Sequence, residues 1–273
     1  MDNLFFLSGL PRSGNTLLGS IINQNPDLCI TAKSPVLFIL ENLHKQLQEE
    51  QETHLANFPD YTSFDNAIRG AVEGYYKDWP ASHIIDRSHW GNSSNIELIK
   101  HYITPNPKFI CLYRPLEEVV ASFIKWGKDN ANLMFTSDMT QEELYNRAIE
   151  EKGVVSESLC SFLNVISNVD SESILLLTYK DLVNNTEEVI ERLYTFLDLP
   201  KYEHDLTSLQ QFELNNISYD DAQYLGKNLH TIDTSGIKQR EYDLLDYLSE
   251  DQKKQLEGTS SIIETLINAR GLL

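Results

Sequence analysis

A chain of 273 residues with 41 acidic against 22 basic side chains, and a net charge of −19, can bury a sizeable core but lacks the basic face that nucleic acid or a heavily sulfated polysaccharide needs. Its three cysteines, Cys29, Cys111 and Cys160, stand in apolar contexts without metal-ligand spacing or pairing pattern, which argues against a disulfide framework. No stretch approaches about 18 uninterrupted apolar residues and a strand begins by Leu4, so neither a membrane span nor a signal peptide is expected.

On that reading the protein is cytoplasmic, and the sequons at Asn92, Asn184 and Asn216 are chance occurrences. The chain opens on an apolar run, Leu4 to Leu7, followed by Ser8-Gly9-Leu10-Pro11-Arg12-Ser13-Gly14-Asn15-Thr16. Leu17, Leu18, Ile21 and Ile22 then recur at helical spacing. Strand, glycine turn and helix is the geometry that aims backbone N–H groups and a helix dipole at a phosphate. The spacing Gly9-x-x-x-x-Gly14 matches a P-loop, but Asn15 stands where a nucleoside triphosphatase carries Lys. The cation of this loop is Arg12. A plain tight turn between core elements is the alternative. The convergence of Gly, Arg, Ser and Thr on a helix N-terminus favours an anion site.

The first helix is expected over Gly14–Asn23, and Leu28 to Ile30 reads as a short strand running toward Lys33. Lys33 lies where α/β folds place ligand sites, although a solvated lysine is the simpler account. Ser34 is placed to cap a helix from Pro35 to about Glu52, with Leu37, Leu40, Leu43 and Leu47 as its stripe. Another helix is expected from Ser63 to Asp78. Ile84 and Ile85 form a buried strand that delivers Asp86, Arg87, Ser88 and His89 at its end; the competing account pairs Asp86 with Arg87 structurally. Asn92 to Tyr102 reads as a helix.

Lys108 to Tyr113 is a clear strand ending in Arg114-Pro115, and Pro115 opens a helix that carries Ser122 two turns along. Arg114 and Ser122 can therefore look into one crevice. The second half of Lys125–Met139 reads as a loop and a candidate lid. Thr140 opens a long helix to about Asn168, and Ser173 to Leu177 is a fully buried strand closed by Thr178-Tyr179-Lys180-Asp181. Acid in its first turn marks a helix from Thr186 to Leu197. From Lys201 to Tyr242 periodicity fades in a polar, loop-rich stretch holding Lys227, His230, Lys238 and Arg240. Two helices close the chain, one capped by Ser249 and one from Ser260 to about Arg270. This alternation predicts a single three-layer α/β domain over residues 1–273, with a mainly parallel central sheet of the P-loop NTPase kind and helical annexes.

Together these stretches resemble the sulfotransferases that use 3′-phosphoadenosine 5′-phosphosulfate (PAPS), from Leu4 to about Leu199. Pro11 to Thr16 is similar to the family's 5′-phosphosulfate loop, in an arginine form nearer the tyrosylprotein and carbohydrate branches. Lys108 to Trp126 looks like its 3′-phosphate motif, and Ile174 to Leu199 like its strand, aromatic-acid turn and helix. Ile84 to Trp90 occupies the place of the strand bearing the catalytic basic residue. The resemblance implies that Arg12, Ser13, Gly14, Asn15 and Thr16 hold the 5′-phosphosulfate, that Arg114 and Ser122 hold the 3′-phosphate, and that Tyr179 meets the adenine. Lys238 resembles a lysine that reaches the 3′-phosphate. It further implies a hydroxyl acceptor and a reaction without metal, with Arg12 beside the leaving group.

Two departures bear on the base. The tyrosylprotein branch carries Glu-Glu-Thr-Arg after the second strand, where this chain reads Thr31-Ala32-Lys33-Ser34-Pro35. The cytosolic branch has Lys-Thr-His where this chain has Arg87-Ser88-His89. His89 is therefore the candidate base and Arg87 a second cation near the transferring group; the rival account of His89 is a structural hydrogen-bonding histidine. The competing classes are a small-molecule or nucleotide kinase, disfavoured by Asn15, and a non-catalytic protein of the same fold that binds 3′,5′-adenosine bisphosphate (PAP).

Overall fold

Short apolar runs bounded by turns are what strands covered on both faces look like. In the computed structural model of the chain they are β1 (Leu4–Leu7), β2 (Leu28–Lys33), β3 (His83–Arg87), β4 (Phe109–Tyr113) and β5 (Ile174–Thr178). Described are residues 3–131, 137–211, 213–214, 217–218, 226, 230–232, 234, 236–237 and 243–273, side chains at 47–55, 214 and 218 excepted. The strands make one five-stranded sheet in the order β2-β3-β1-β4-β5. Every pairing in it is parallel. All C-terminal strand ends therefore share one edge.

The period-2 alternation of strands sends neighbouring residues to opposite faces. Phe5 and Leu7 of β1 join a cluster with Leu18, Leu182 and Leu193, from α1 (Asn15–Ile22), α8 (Tyr179–Asn184) and α9 (Thr186–Leu197). Leu4 and Phe6 face the other way, into a larger cluster. That second layer is built from α2 (Val36–Asn57), α3 (Tyr61–Tyr76), α4 (Ser93–Leu98), α5 (Leu116–Asp129), α6 (Gln141–Ile149), α7 (Val154–Asn168) and α10 (Glu250–Ala269). The three-layer α/β architecture expected of the sequence is thus present, with one helical layer much thicker than the other.

Several elements depart from the sequence reading. The long helix expected from Thr140 to Asn168 is two. Thr140 does cap α6, through a capping box with Glu143. The break falls at Gly153, whose N–H donates to the Glu150 carbonyl and where a Cβ would lie 2.5 Å from the Ala148 carbonyl. At the C-terminus the reverse holds: the two expected helices are the single α10, opened by Ser249 with a capping box to Gln252. Ser260 is a contact rather than a start: its hydroxyl accepts from Leu116 N–H at 2.8 Å and donates to Glu117 at 2.7 Å. The cap of α3 is Asp60, whose carboxylate accepts from Ser63 N–H at 3.0 Å. The helix expected over Asn92–Tyr102 widens into a π turn at Ile99–Ile103. In α2, Leu37 and Leu40 are buried while Leu43 is exposed, and Leu47 lies outside the described side chains.

Within the stretch expected to be loop, Glu213–Leu214 (β6) pairs antiparallel with Ile217–Ser218 (β7). Lys227, Lys238 and Arg240, and part of the candidate lid, lie outside the described residues. Among the described residues no helix is long and apolar enough to cross a membrane.

Candidate functional site

The C-terminal edge of the sheet gathers the polar residues that the sequence singles out. Across it run Lys33 at the end of β2, Arg87 at the end of β3, the loop after β1, Arg114 after β4 and Tyr179 after β5. Strands about 4.8 Å apart place the outermost of these roughly 19 Å from each other, the span of a nucleotide-sized ligand.

The loop between β1 and α1 is held by its own side chains. Arg12 has φ +60° and Gly14 φ +95°, so the chain turns twice through the left-handed region before the helix begins. Ser13 is 0% exposed and its hydroxyl donates to the Leu10 carbonyl at 2.5 Å. The Asn15 amide donates to the same carbonyl at 2.7 Å. Ser13 and Asn15 thus spend their side chains on the loop's shape. What the loop offers an anion is Arg12 and the backbone of the first turn of α1, where Gly14 brings no side-chain cap and Thr16 is half-buried. Asn15 also explains Gly9: a Cβ there would lie 2.5 Å from Asn15 Oδ1 and 3.2 Å from the Leu112 backbone nitrogen. Gly9→Ala is accordingly expected to lower unfolding free energy by about 1–3 kcal/mol, measured by urea denaturation. An unchanged midpoint would show that the loop gives way at no cost.

Arg12, Ser122, Arg114 and Tyr179, far apart in sequence, meet at this loop. Arg12 Nε donates to Ser122 Oγ at 3.1 Å. Arg114 Nη1 donates to the Arg12 carbonyl at 3.0 Å, and its Nε donates to Glu118 at 2.8 Å. The Arg114 guanidinium lies 4.1 Å over the Tyr179 ring, within cation–π range. Arg114 is 5% and Ser122 7% exposed, so both are fixed before any ligand arrives. Gly14 lets the ring in: a Cβ there would sit 3.2 Å from Tyr179 Cδ2. Sequence reasoning passed over Glu118, which the Arg114–Glu118 spacing of four residues on a helix start could have disclosed.

The other half of the edge carries Lys33, Arg87 and His89. Lys33 and Arg87 are Cα partners in register. Arg87 N–H donates to Thr31 Oγ1 at 2.8 Å and the Arg87 carbonyl accepts from Ser34 N–H at 3.2 Å, so the two strand ends are locked together. His89 is half-buried. Burial chiefly, then the positive charges of Lys33 and Arg87, push its imidazole below the ordinary 6.5, while Glu157 of α7 pulls the other way. The neutral, proton-accepting form therefore dominates at neutral pH. Asn95 Nδ2 donates to the His89 carbonyl at 2.9 Å, and Gly91 N–H donates to Ser161 Oγ at 3.0 Å, which pins the loop that carries the ring. Asp86, weighed as a partner of Arg87, is turned instead into the core, where Tyr76 and Trp90 hold it.

The donor set tests whether a bis-anionic nucleotide fits. Two guanidinium groups, a hydroxyl and a helix N-terminus without a side-chain cap all present positive charge or N–H and O–H donors, and the carboxylate among them, Glu118, is bonded to Arg114. Such a set suits a ligand with two phosphate-like groups.

A family profile described as "Sulfotransferase family" matches residues 5–204. A protein-tyrosine sulfotransferase of Drosophila melanogaster is 24% identical over 202 residues, which cover 72% of this chain and 38% of that protein. The chain thus spans less than half the length of this curated relative. Among solved structures, a sulfotransferase domain from the curacin biosynthetic pathway superposes with a TM-score of 0.50 at 21% identity, over 94% of this chain and 96% of that one. A sulfotransferase domain of a Synechococcus olefin synthase gives 0.51 at 19%, over 94% of each chain. A mouse sulfotransferase complexed with PAP gives 0.55 at 12%, over 98% and 84%. At these identities the structures bear on the fold.

Proposed function

The chain belongs to the sulfotransferase family, and from that membership we propose that it transfers a sulfuryl group from PAPS to a hydroxyl acceptor, as one catalytic unit. The observation that carries the reading is the convergence of Arg12, Ser122, Arg114 and Tyr179 on the loop after β1. A triphosphatase has no use for a second phosphate subsite of this kind; a 3′,5′-bisphosphate does. The relative named for protein tyrosine makes a phenolic hydroxyl the first acceptor to try.

Bound there, PAPS would supply the sulfuryl group, with negative charge growing on its 5′-phosphate as the S–O bond breaks. The chain's own contribution is mainly position and electrostatics. Arg12 and the first-turn N–H groups of α1 hold the 5′ end and offset that charge. Arg114 and Ser122 hold the 3′-phosphate. His89, neutral at working pH, accepts the proton that the acceptor hydroxyl loses, and Arg87 beside it steadies the charge between acceptor and donor. Three free cysteines, two of them buried, suit a reducing compartment and support a cytoplasmic location.

Calorimetric titration separates this reading from a kinase of similar fold. PAP is expected to bind without metal in the micromolar range, and ATP with Mg²⁺ at least about tenfold more weakly, a difference of 1.4 kcal/mol. ATP binding without PAP binding would overturn it.

A further inference from the structure

We propose that Asp86 is the positioning residue of the acceptor side: one buried carboxylate that fixes the loop carrying His89 against the end of α3. Asp86 is 0% exposed, and a carboxylate is costly to bury unless donors surround it. Its donors come from separate parts of the chain. The Tyr76 hydroxyl, from the last residue of α3, donates to Oδ2. Trp90 Nε1 donates to Oδ1 at 2.6 Å. Burial raises the Asp86 carboxyl above the usual range, and the bonds from Tyr76 and Trp90 oppose that rise.

The positions of those donors give the cluster its meaning. Trp90 follows His89 and is itself fully buried. Tyr76 packs edge-on against Trp79 just beyond α3, with ring centroids 5.0 Å apart. The His89 loop and the end of α3 thus converge on one side chain. The cofactor-side residues Arg12, Arg114, Ser122 and Tyr179 meet one another at the loop after β1. Asp86→Asn, which turns one acceptor oxygen into a donor, should therefore loosen the acceptor side and leave the phosphate clamp in place.

The proposal rests on the sulfotransferase reading for its meaning, but its test has a readout independent of turnover. In Asp86→Asn, loosening exposes the imidazole, and since burial is the main cause of His89's low midpoint, that midpoint should move up toward 6.5. The charged groups facing the ring, Lys33 of β2, Arg87 of β3 and Glu157 of α7, are the same in both proteins. Imidazole resonances followed by NMR titration, with His89→Gln assigning the signal, measure this directly. Tyr76→Phe removes one donor while keeping the ring packing, and should shift the midpoint the same way by less, which keeps the test alive if Asp86→Asn does not fold. PAP affinity by calorimetry should stay within about twofold of the unsubstituted chain in every folded variant, while kcat with a tyrosine-containing peptide falls at least about tenfold, the 1.36 kcal/mol that small misplacement readily costs. An unmoved His89 midpoint, or PAP affinity falling in step with the loss of donors, overturns the proposal. Failure of the unsubstituted chain to bind PAP would instead overturn the sulfotransferase reading and leave the titration result standing.

Discussion

Replacing His89 by glutamine is expected to lower kcat for sulfuryl transfer by about 10²- to 10⁴-fold, the range a positioned general base contributes, with PAP affinity unchanged within about twofold. Glutamine keeps a polar side chain of similar reach but cannot accept a proton. The pH profile gives the second half of this result. Only the neutral imidazole serves as base, and burial with Lys33 and Arg87 nearby lowers its midpoint below 6.5. Activity of the unsubstituted chain should therefore be flat through pH 7–8 and fall as pH drops through that lowered midpoint, the acid limb vanishing in His89→Gln. Steady-state rates with radiolabelled PAPS across pH 5–8 check both. A variant retaining more than about half the activity, or an acid limb unaffected by the substitution, would make His89 the structural histidine that the sequence also allowed.

The second large effect is on the cofactor. Arg114→Ala should weaken PAP binding by roughly 10²-fold, about 3 kcal/mol, the scale of two charge-assisted hydrogen bonds lost together. The substitution also strips the Arg12 carbonyl of its donor and takes the cation from the Tyr179 face, so loop order suffers with it. Arg114→Lys keeps the charge without the planar fork, and an intermediate loss is expected. Calorimetry with PAP measures all three proteins. Equal affinity in Arg114→Ala would remove Arg114 from the clamp and leave it as a scaffold residue bonded to Glu118.

What the sequence disclosed follows from how local its signals are. The parallel strands were legible because strands covered on both faces need unbroken apolar runs, and Phe109 to Tyr113 or Ile174 to Leu177 can hardly be anything else. That Arg12, Arg114 and Ser122 gather at one loop was legible because the glycine turn follows β1, Arg114 ends the next strand and Ser122 lies two turns along the helix that Pro115 opens. The join between α6 and α7 was hidden: both helices face one core, so the apolar stripe runs on through Gly153. Ser260 misled for a similar reason, since a serine that caps a helix and one that bridges two helices read alike. Asp86 shows the limit most plainly. Its surroundings depend on Tyr76, ten residues before it at the end of α3, and on Trp90 in the turn after β3, and the residues beside it in sequence do not distinguish a core acceptor from a site carboxylate.

The strand order has an evolutionary consequence. Arg12, Arg114 and Tyr179, proposed to hold the nucleotide, follow β1, β4 and β5, while Lys33 and Arg87 end β2 and β3 and His89 follows β3 at the opposite flank. The chain between β2 and β3 is almost wholly α2 and α3, which bear the exposed aromatic side chains Phe38 and, between them, Phe58. Insertion, deletion or resurfacing in that one interval remodels the acceptor flank without crossing the segments that build the clamp. On the proposed assignment, donor chemistry and acceptor choice are thus separable within a single sheet.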